Sequence, residues 1–135
     1  MKPIIIRNSI IPKLLSWIID IRAITLFPFI FIKDNGDERL INHELIHIAQ
    51  QKETLVLGFY ILYIWDYIVG LIKFKNFRDS YYSIRFEREA YNNDHDKYYL
   101  EYRKMFSWKN YKVWDNYIKL KETLRWQGLL NGIKQ

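Results

Sequence analysis

The sequence predicts an α+β fold, mostly α, in which short N-terminal strands pack on a long helix that is followed by a helical bundle. Three observations lead there. Residues 23–33 (Ala-Ile-Thr-Leu-Phe-Pro-Phe-Ile-Phe-Ile-Lys) are β-branched and aromatic, the composition of a strand. Residues 37–53 follow the turn Asp34-Asn35-Gly36 and carry apolar side chains at helical spacing. The chain beyond residue 80 reads as helices with short connections. With 135 residues, half of them apolar, the chain suits a single domain over 1–135, its strand-containing part at 1–33 and its helical part at 37–125.

Taken in order, Ile4 to Ile6 read as a short strand, and Pro12 with Lys13 to Ile19 as a short helix or interfacial turn. Residues 23–33 read as one strand. Pro28 inside it implies an edge or a bulge, because proline has no N–H to give a ladder. An edge strand just before the long helix is able to pair with an extended peptide. Asp37 is the N-cap of that helix and Glu38 suits its positive first turn. Ile41, Leu45, Ile48 and Ala49 form its core stripe, and Leu40, His43, His47, Gln50 and Thr54 an adjacent one.

That second stripe contains the most informative residues, His43-Glu44-Leu45-Ile46-His47. Four helical positions turn about 400° and rise about 6 Å, so both imidazoles leave one face, one turn apart, and can share a tetrahedral metal ion. Glu44 stands beside them, placed to accept a proton from an activated water rather than to bind the metal. The plain alternative is a helix with two histidines satisfied by its surroundings. A catalytic zinc needs three protein ligands and an open position. No cysteine is present, so the third ligand is His95, the remaining imidazole, or a carboxylate. In Phe86-Glu87-Arg88-Glu89-Ala90-Tyr91, the residues Glu87, Tyr91 and His95 share a face at i, i+4 and i+8, while Glu89 points about 200° away. A glutamate here is also well explained as a surface charge.

Between the two motifs, residues 54–72 are apolar apart from Thr54, Asp66 and two glycines, and Lys73, Lys75 and Arg78 follow. The stretch is long enough to cross a bilayer. A single crossing would strand His47 and a ligand in the 80s on opposite sides. A continuous helix would instead leave residue 87 about 27 Å from His47. A break near Gly58 resolves both problems: 59–73 folds back along the histidine helix as a mainly buried segment in contact with lipid at most, and a third helix from about residue 80 passes close to the histidines. Loops are expected at 34–37, 74–80, 92–97 and 107–110, a buried helical stripe at Tyr111, Trp114, Tyr117 and Ile118, and fraying from Gly128.

Charge is divided unevenly. Residues 1–72 balance 7 cations against 7 acids, whereas 73–135 hold 14 against 8, so the net +6 lies in the C-terminal half. Basic and aromatic residues interleave at Trp108 to Trp114, but no nucleic-acid motif accompanies them, and no nucleic-acid partner is expected. The run Met1 to Arg7 lacks the pattern of a secretory signal. With the apolar stretch 54–72, the expected location is cytoplasmic, peripheral to or partly embedded in the inner membrane.

The run His43 to Gln51 followed by Glu87-Arg88-Glu89-Ala90 resembles the gluzincin arrangement, and with residues 23–32 and 86–92 it is similar to small bacterial zincin-like, metallopeptidase-like proteins over residues 8 to about 95. That resemblance implies a zincin-like fold, zinc held by His43, His47 and Glu87, and Glu44 as general base. The chain departs from the family's Glu-x-x-Ala-Asp pattern by carrying Tyr91 where the aspartate stands. The aspartate's support of a ligand histidine must then come from another residue, Asp66 or Asp94, and Tyr91 is placed to donate to a tetrahedral oxyanion as a catalytic group. The function expected on these grounds is that of a zinc-dependent metallopeptidase acting on a peptide or protein. The alternative is a zinc-stabilised, non-catalytic, membrane-associated interaction protein that uses its aromatic, basic C-terminal half.

Overall fold

The computed structural model describes residues 2–16 and 21–111, and the expected stripe at 114–118 and the end from Gly128 lie outside them. Within the described residues the chain is mostly helical around a small sheet. Strands β1 (Ile4–Ile6), β2 (Ala23–Leu26) and β3 (Phe29–Ile32) form a sheet of order β1-β3-β2, with β1 parallel and β2 antiparallel to β3. Helices α1 (Ile10–Leu15), α2 (Glu38–Glu53), α3 (Leu57–Phe74), α4 (Phe77–Ser83), α5 (Arg85–Asn93) and the single turn α6 (Tyr99–Tyr102) follow that chain order, before a 3-10 turn at Ser107–Asn110.

The stretch expected as one strand is a hairpin. The chain reverses at Phe27-Pro28, whose peptide bond is cis, and Leu26 pairs with Phe29 across the turn. Proline's missing donor explains the correction: it is accommodated in the turn, where no ladder bond is asked of it. Ile30 and Ile32 are fully buried and pack with Ile48 of α2, so the sheet lies on the core stripe of the histidine helix.

Helix α2 starts as its sequence requires. The Asp37 carboxylate accepts from Leu40 N–H at 2.7 Å, and Gly36, at φ 67°, supplies the left-handed turn before it. Its end comes close to the break expected near Gly58, two to three residues earlier. Leu55 and Val56, at φ 55° and 60°, make the break, and Gly58 sits inside the first turn of α3. Positive φ is costly for a β-branched residue, about 1–3 kcal/mol, and the surrounding contacts over-determine it. Val56 N–H bonds back to Gln51 O, and Phe59 and Tyr60 then pack into the interior.

The return helix α3 runs beside α4, and their close approach is at Gly70, where a Cβ would stand 2.7 Å from Ser83 Oγ and 2.9 Å from Ser80 Cα. Asp66, fully buried, accepts from the backbone N–H of Arg85 and, at 2.6 and 2.7 Å, from its guanidinium, tying α3 to the start of α5. The expectation of α3 as mainly buried is not met: its buried residues are Phe59, Asp66 and Gly70, and the rest are half-buried or exposed. One helix can bury one stripe, and α2, α4 and α5 cover only the side that carries Phe59, Asp66 and Gly70. The third helix expected from about residue 80, after a loop at 74–80, is two helices: α4 already starts at Phe77, Ile84 with extended backbone breaks the chain, and α5, from Arg85, packs against α2 as that helix was expected to do.

Candidate metal centre

Helices α2 and α5 bring His43, His47 and Glu87 together, all three buried, with their donor atoms within 4.8 Å of one another. Nε2 of His43 lies 3.1 Å from Nε2 of His47 and 3.1 Å from Glu87 Oε2, and Nε2 of His47 lies 3.4 Å from Glu87 Oε1. Metal–ligand bonds of about 2.0–2.1 Å in a tetrahedron imply donor–donor edges of about 3.3 Å, and the distance between the two Nε2 atoms and that from each of them to one oxygen of Glu87 are of this size. The group could hold a metal ion.

Both rings are presented by their far side. Nδ1 of His43 donates to Asp94 Oδ2 at 3.2 Å, and Nδ1 of His47 donates to Gln50 Oε1 at 2.7 Å. With both Nδ1 atoms committed as donors, each Nε2 is left facing Glu87, the tautomer that metal binding needs. Asp94 is held in turn by Arg39 Nε at 2.7 Å. Gln50 is held by donating to Phe86 O and to Glu89 Oε2. Glu87 Oε1 accepts from the Tyr63 hydroxyl at 2.8 Å.

Without a metal, this cluster is an ion-pair network. Burial opposes charge on His43, but hydrogen bonds to Asp94 and Glu87 outweigh it and hold the ring up at about 10. Burial likewise works against charge on His47, and the Glu87 carboxylate raises it nonetheless. Glu87 is disfavoured as an anion by burial, yet the neighbouring His47 charge and hydrogen bonds from both rings keep its carboxyl well below the usual carboxylate range.

Glu44, 6% exposed, does not join the ligand cluster. Its Oε2 accepts from Thr25 Oγ1 of β2 at 2.5 Å, which fixes the carboxylate from the sheet side. Glu44, His43 and Tyr91 line one cavity of about 690 Å³ together with Arg39, Tyr81 and Tyr82, within the size range of small-molecule and peptide-side-chain pockets. The Tyr91 ring lies over His43, with centroids 4.4 Å apart, and burial, reinforced by the Glu87 charge, holds its hydroxyl protonated far above neutral pH.

Strand β2 is the edge of the sheet on this side. Lys33 N–H bonds to Arg22 O, which sets the phase of the ladder: Arg22, Ile24 and Leu26 face β3, and Ala23 and Thr25 face outward. Gln51 occupies one end of that outer edge, donating to Thr25 O and accepting from Phe27 N–H, and Tyr60 also donates to Thr25 O. Ala23, at the other end, lines the cavity.

The remaining candidates are separated from this cluster. His95 is exposed, because α5 ends at Asn93 and the i+8 position no longer continues its face. Glu89 is fully buried on the opposite side of α5, not a surface charge: Arg103, Gln50 and Tyr99 bind it, and Arg103 also pairs with Glu53. Asp66 serves Arg85, which leaves Asp94 as the carboxylate on a candidate ligand. Thr25, Gln50 and Tyr63 were not singled out as supporting residues by sequence. Gln50 had a readable signal, three positions past His47 on the same stripe; Thr25 and Tyr63 reach their partners across 19 and 24 residues, which no local pattern reveals.

The chain matches no family model, no curated protein and no solved structure.

Proposed function

We propose that the protein is a zinc-dependent hydrolase, a metallopeptidase in reaction type, with His43, His47 and Glu87 as ligands and Glu44 as general base. The observation that carries this reading is the convergence of two Nε2 atoms and one carboxylate, each oriented from behind by Asp94, Gln50 or Tyr63, with a separately held carboxylate, Glu44, lining a cavity beside His43. Two nitrogens and a carboxylate oxygen without thiolates suit zinc in a catalytic role, and Asp94 and Gln50 fix both rings in the binding tautomer. When bound, zinc supplies Lewis acidity, which acidifies water and polarises a carbonyl oxygen.

The chain's own groups account for the rest. Glu44, held at one oxygen by Thr25, keeps its other oxygen to accept a proton from water and deliver it to the leaving amine. The protonated Tyr91 hydroxyl donates to the oxyanion that develops on the attacked carbonyl. An extended peptide pairs with the outer edge of β2 at Ala23, and Gln51, by occupying Thr25 and Phe27, sets where that pairing stops.

Glu44→Gln tests the reading, since it preserves size and the ability to accept from Thr25 while removing the basic oxygen. On a peptide library read by mass spectrometry, the variant should bind zinc as the wild type does and lose cleavage by about 10²-fold or more. An active wild type with an equally active Glu44→Gln variant sinks the mechanism. A wild type that holds zinc and cleaves nothing favours the non-catalytic interaction protein.

A further inference from the structure

Helix α3 has the polarity of a water-facing helix reversed. Its exposed apolar residues are Leu57, Ile61, Ile64, Trp65, Ile68 and Ile72, between 46 and 73% exposed, and they recur at i, i+4, i+7, i+8, i+11 and i+15 as one face. The one charged side chain between Thr54 and Ile72, Asp66, points the other way into its pair with Arg85. A soluble monomer rarely leaves a continuous apolar stripe of this length to water. Cations stand at both ends: Lys52 before the stripe, and Lys73, Lys75 and Arg78 after it, all exposed, on a chain of net charge +6.

We infer that this face of α3 lies on an anionic lipid bilayer, with the helix in the plane of the membrane and its isoleucines and Trp65 among the acyl chains. Apolar residues along one face with lysines at its ends are the two attractions that hold such a helix, burial of hydrocarbon and pairing with acidic headgroups. The helix does not cross. Its inner face carries α4 and the Asp66–Arg85 pair, and a crossing would take these charges into hydrocarbon and part His47 from Glu87. A second copy fits less well, because a two-fold pairing of antiparallel stripes brings Lys52 of each copy toward Lys73 and Lys75 of the other, with no acid among the described residues of this face to offset them. The inference stands apart from the metal site.

Flotation with vesicles of phosphatidylcholine, with and without phosphatidylglycerol, tests it on the full chain. The protein should be monomeric and float with the phosphatidylglycerol vesicles, and alkaline carbonate should release it. Ile64→Ser with Ile68→Ser should lower partition tenfold or more, roughly what withdrawing two partly exposed isoleucines from lipid gives, while circular dichroism and metal uptake stay unchanged. Lys73→Glu with Lys75→Glu should remove the preference for the anionic lipid. Should the isoleucine variant not fold, bromolipid quenching of the wild type against Trp65→Phe reads the same contact, and the quenching should drop in that variant. The inference is overturned by a stable dimer indifferent to vesicles, by a monomer that floats with neither lipid, by equal partition of wild type and folded variants, or by resistance to carbonate with residues 43 and 87 labelled from opposite sides.

Discussion

Asp94→Asn isolates how much the presentation of a histidine contributes to metal binding. Asp94 is 4% exposed, accepts from His43 Nδ1 at 3.2 Å and is anchored by Arg39 Nε at 2.7 Å. The substitution keeps the shape and leaves one oxygen able to accept from the ring, but that oxygen no longer carries charge, and the new amide group must face Arg39. Loss of a residue that orients a metal-binding histidine costs about 10- to 100-fold in affinity, or about 1.4–2.7 kcal/mol. Because an acceptor survives, Asp94→Asn belongs at the tenfold end, and Asp94→Ala, which leaves Nδ1 without that partner, at the hundredfold end. Competition for zinc against a chromophoric chelator at fixed pH measures both. Asp66→Asn is the control: it removes a charge from the Arg85 pair and should lower the melting temperature without this change in zinc affinity. Unchanged zinc affinity in both Asp94 variants, with the fold intact, would refute the assignment of Asp94 as the group that orients His43.

The two acids of α5 should separate by readout. Glu87→Gln should lose zinc affinity by far more than tenfold and remain folded, whereas Glu89→Gln should chiefly lower the melting temperature, since it leaves Arg103 short of one of its buried partners; equal losses of zinc from both would show that the ligand acid is wrongly chosen. The metal-free protein should lose stability as pH rises from 6.5 to about 10, because His43 is protonated more readily folded than unfolded and its contribution is complete only below 6.5. Glu87, with a depressed folded pKa, adds the opposite limb, stability lost as pH falls below about 4.5. Zinc should behave inversely at the alkaline end, its stabilising effect growing as protons cease to compete, and thermal melts from pH 6 to 9 with chelator or with zinc that show parallel curves would contradict this.

What the sequence made legible depended on whether a signal was local. Helix α2 is read from its cap, its stripe and its histidine spacing, all within one element, and the helical face of α5 separates Glu87 from Glu89 because i+4 and i+2 differ by angle alone. The residue supporting a ligand histidine was narrowed to Asp66 or Asp94 and no further, since only the fold shows that Asp66 is taken by Arg85 and that Asp94 stands behind His43. The hairpin at Phe27-Pro28 was hidden because a β-rich run of eleven residues has the same composition whether or not it reverses. His95 was placed on the face of Glu87 by extending a helix that ends two residues earlier, and helix ends are set by capping and packing more than by period. The break of α2 falls at Leu55 and Val56, where local propensity disfavours it, so tertiary contacts decide it. The exposure of α3 was invisible for a related reason: hydropathy says that a segment avoids water, not whether protein or lipid shields it.

The central claim, that the His43–His47–Glu87 cluster is a zinc site, is tested most directly by the metal content of the purified protein. Plasma mass spectrometry after passage over a chelating resin should find about one zinc per chain in the wild type and essentially none in the His43→Ala, His47→Ala double variant. Full zinc occupancy in the double variant, or a wild type that takes up no zinc when it is supplied in excess, would contradict it.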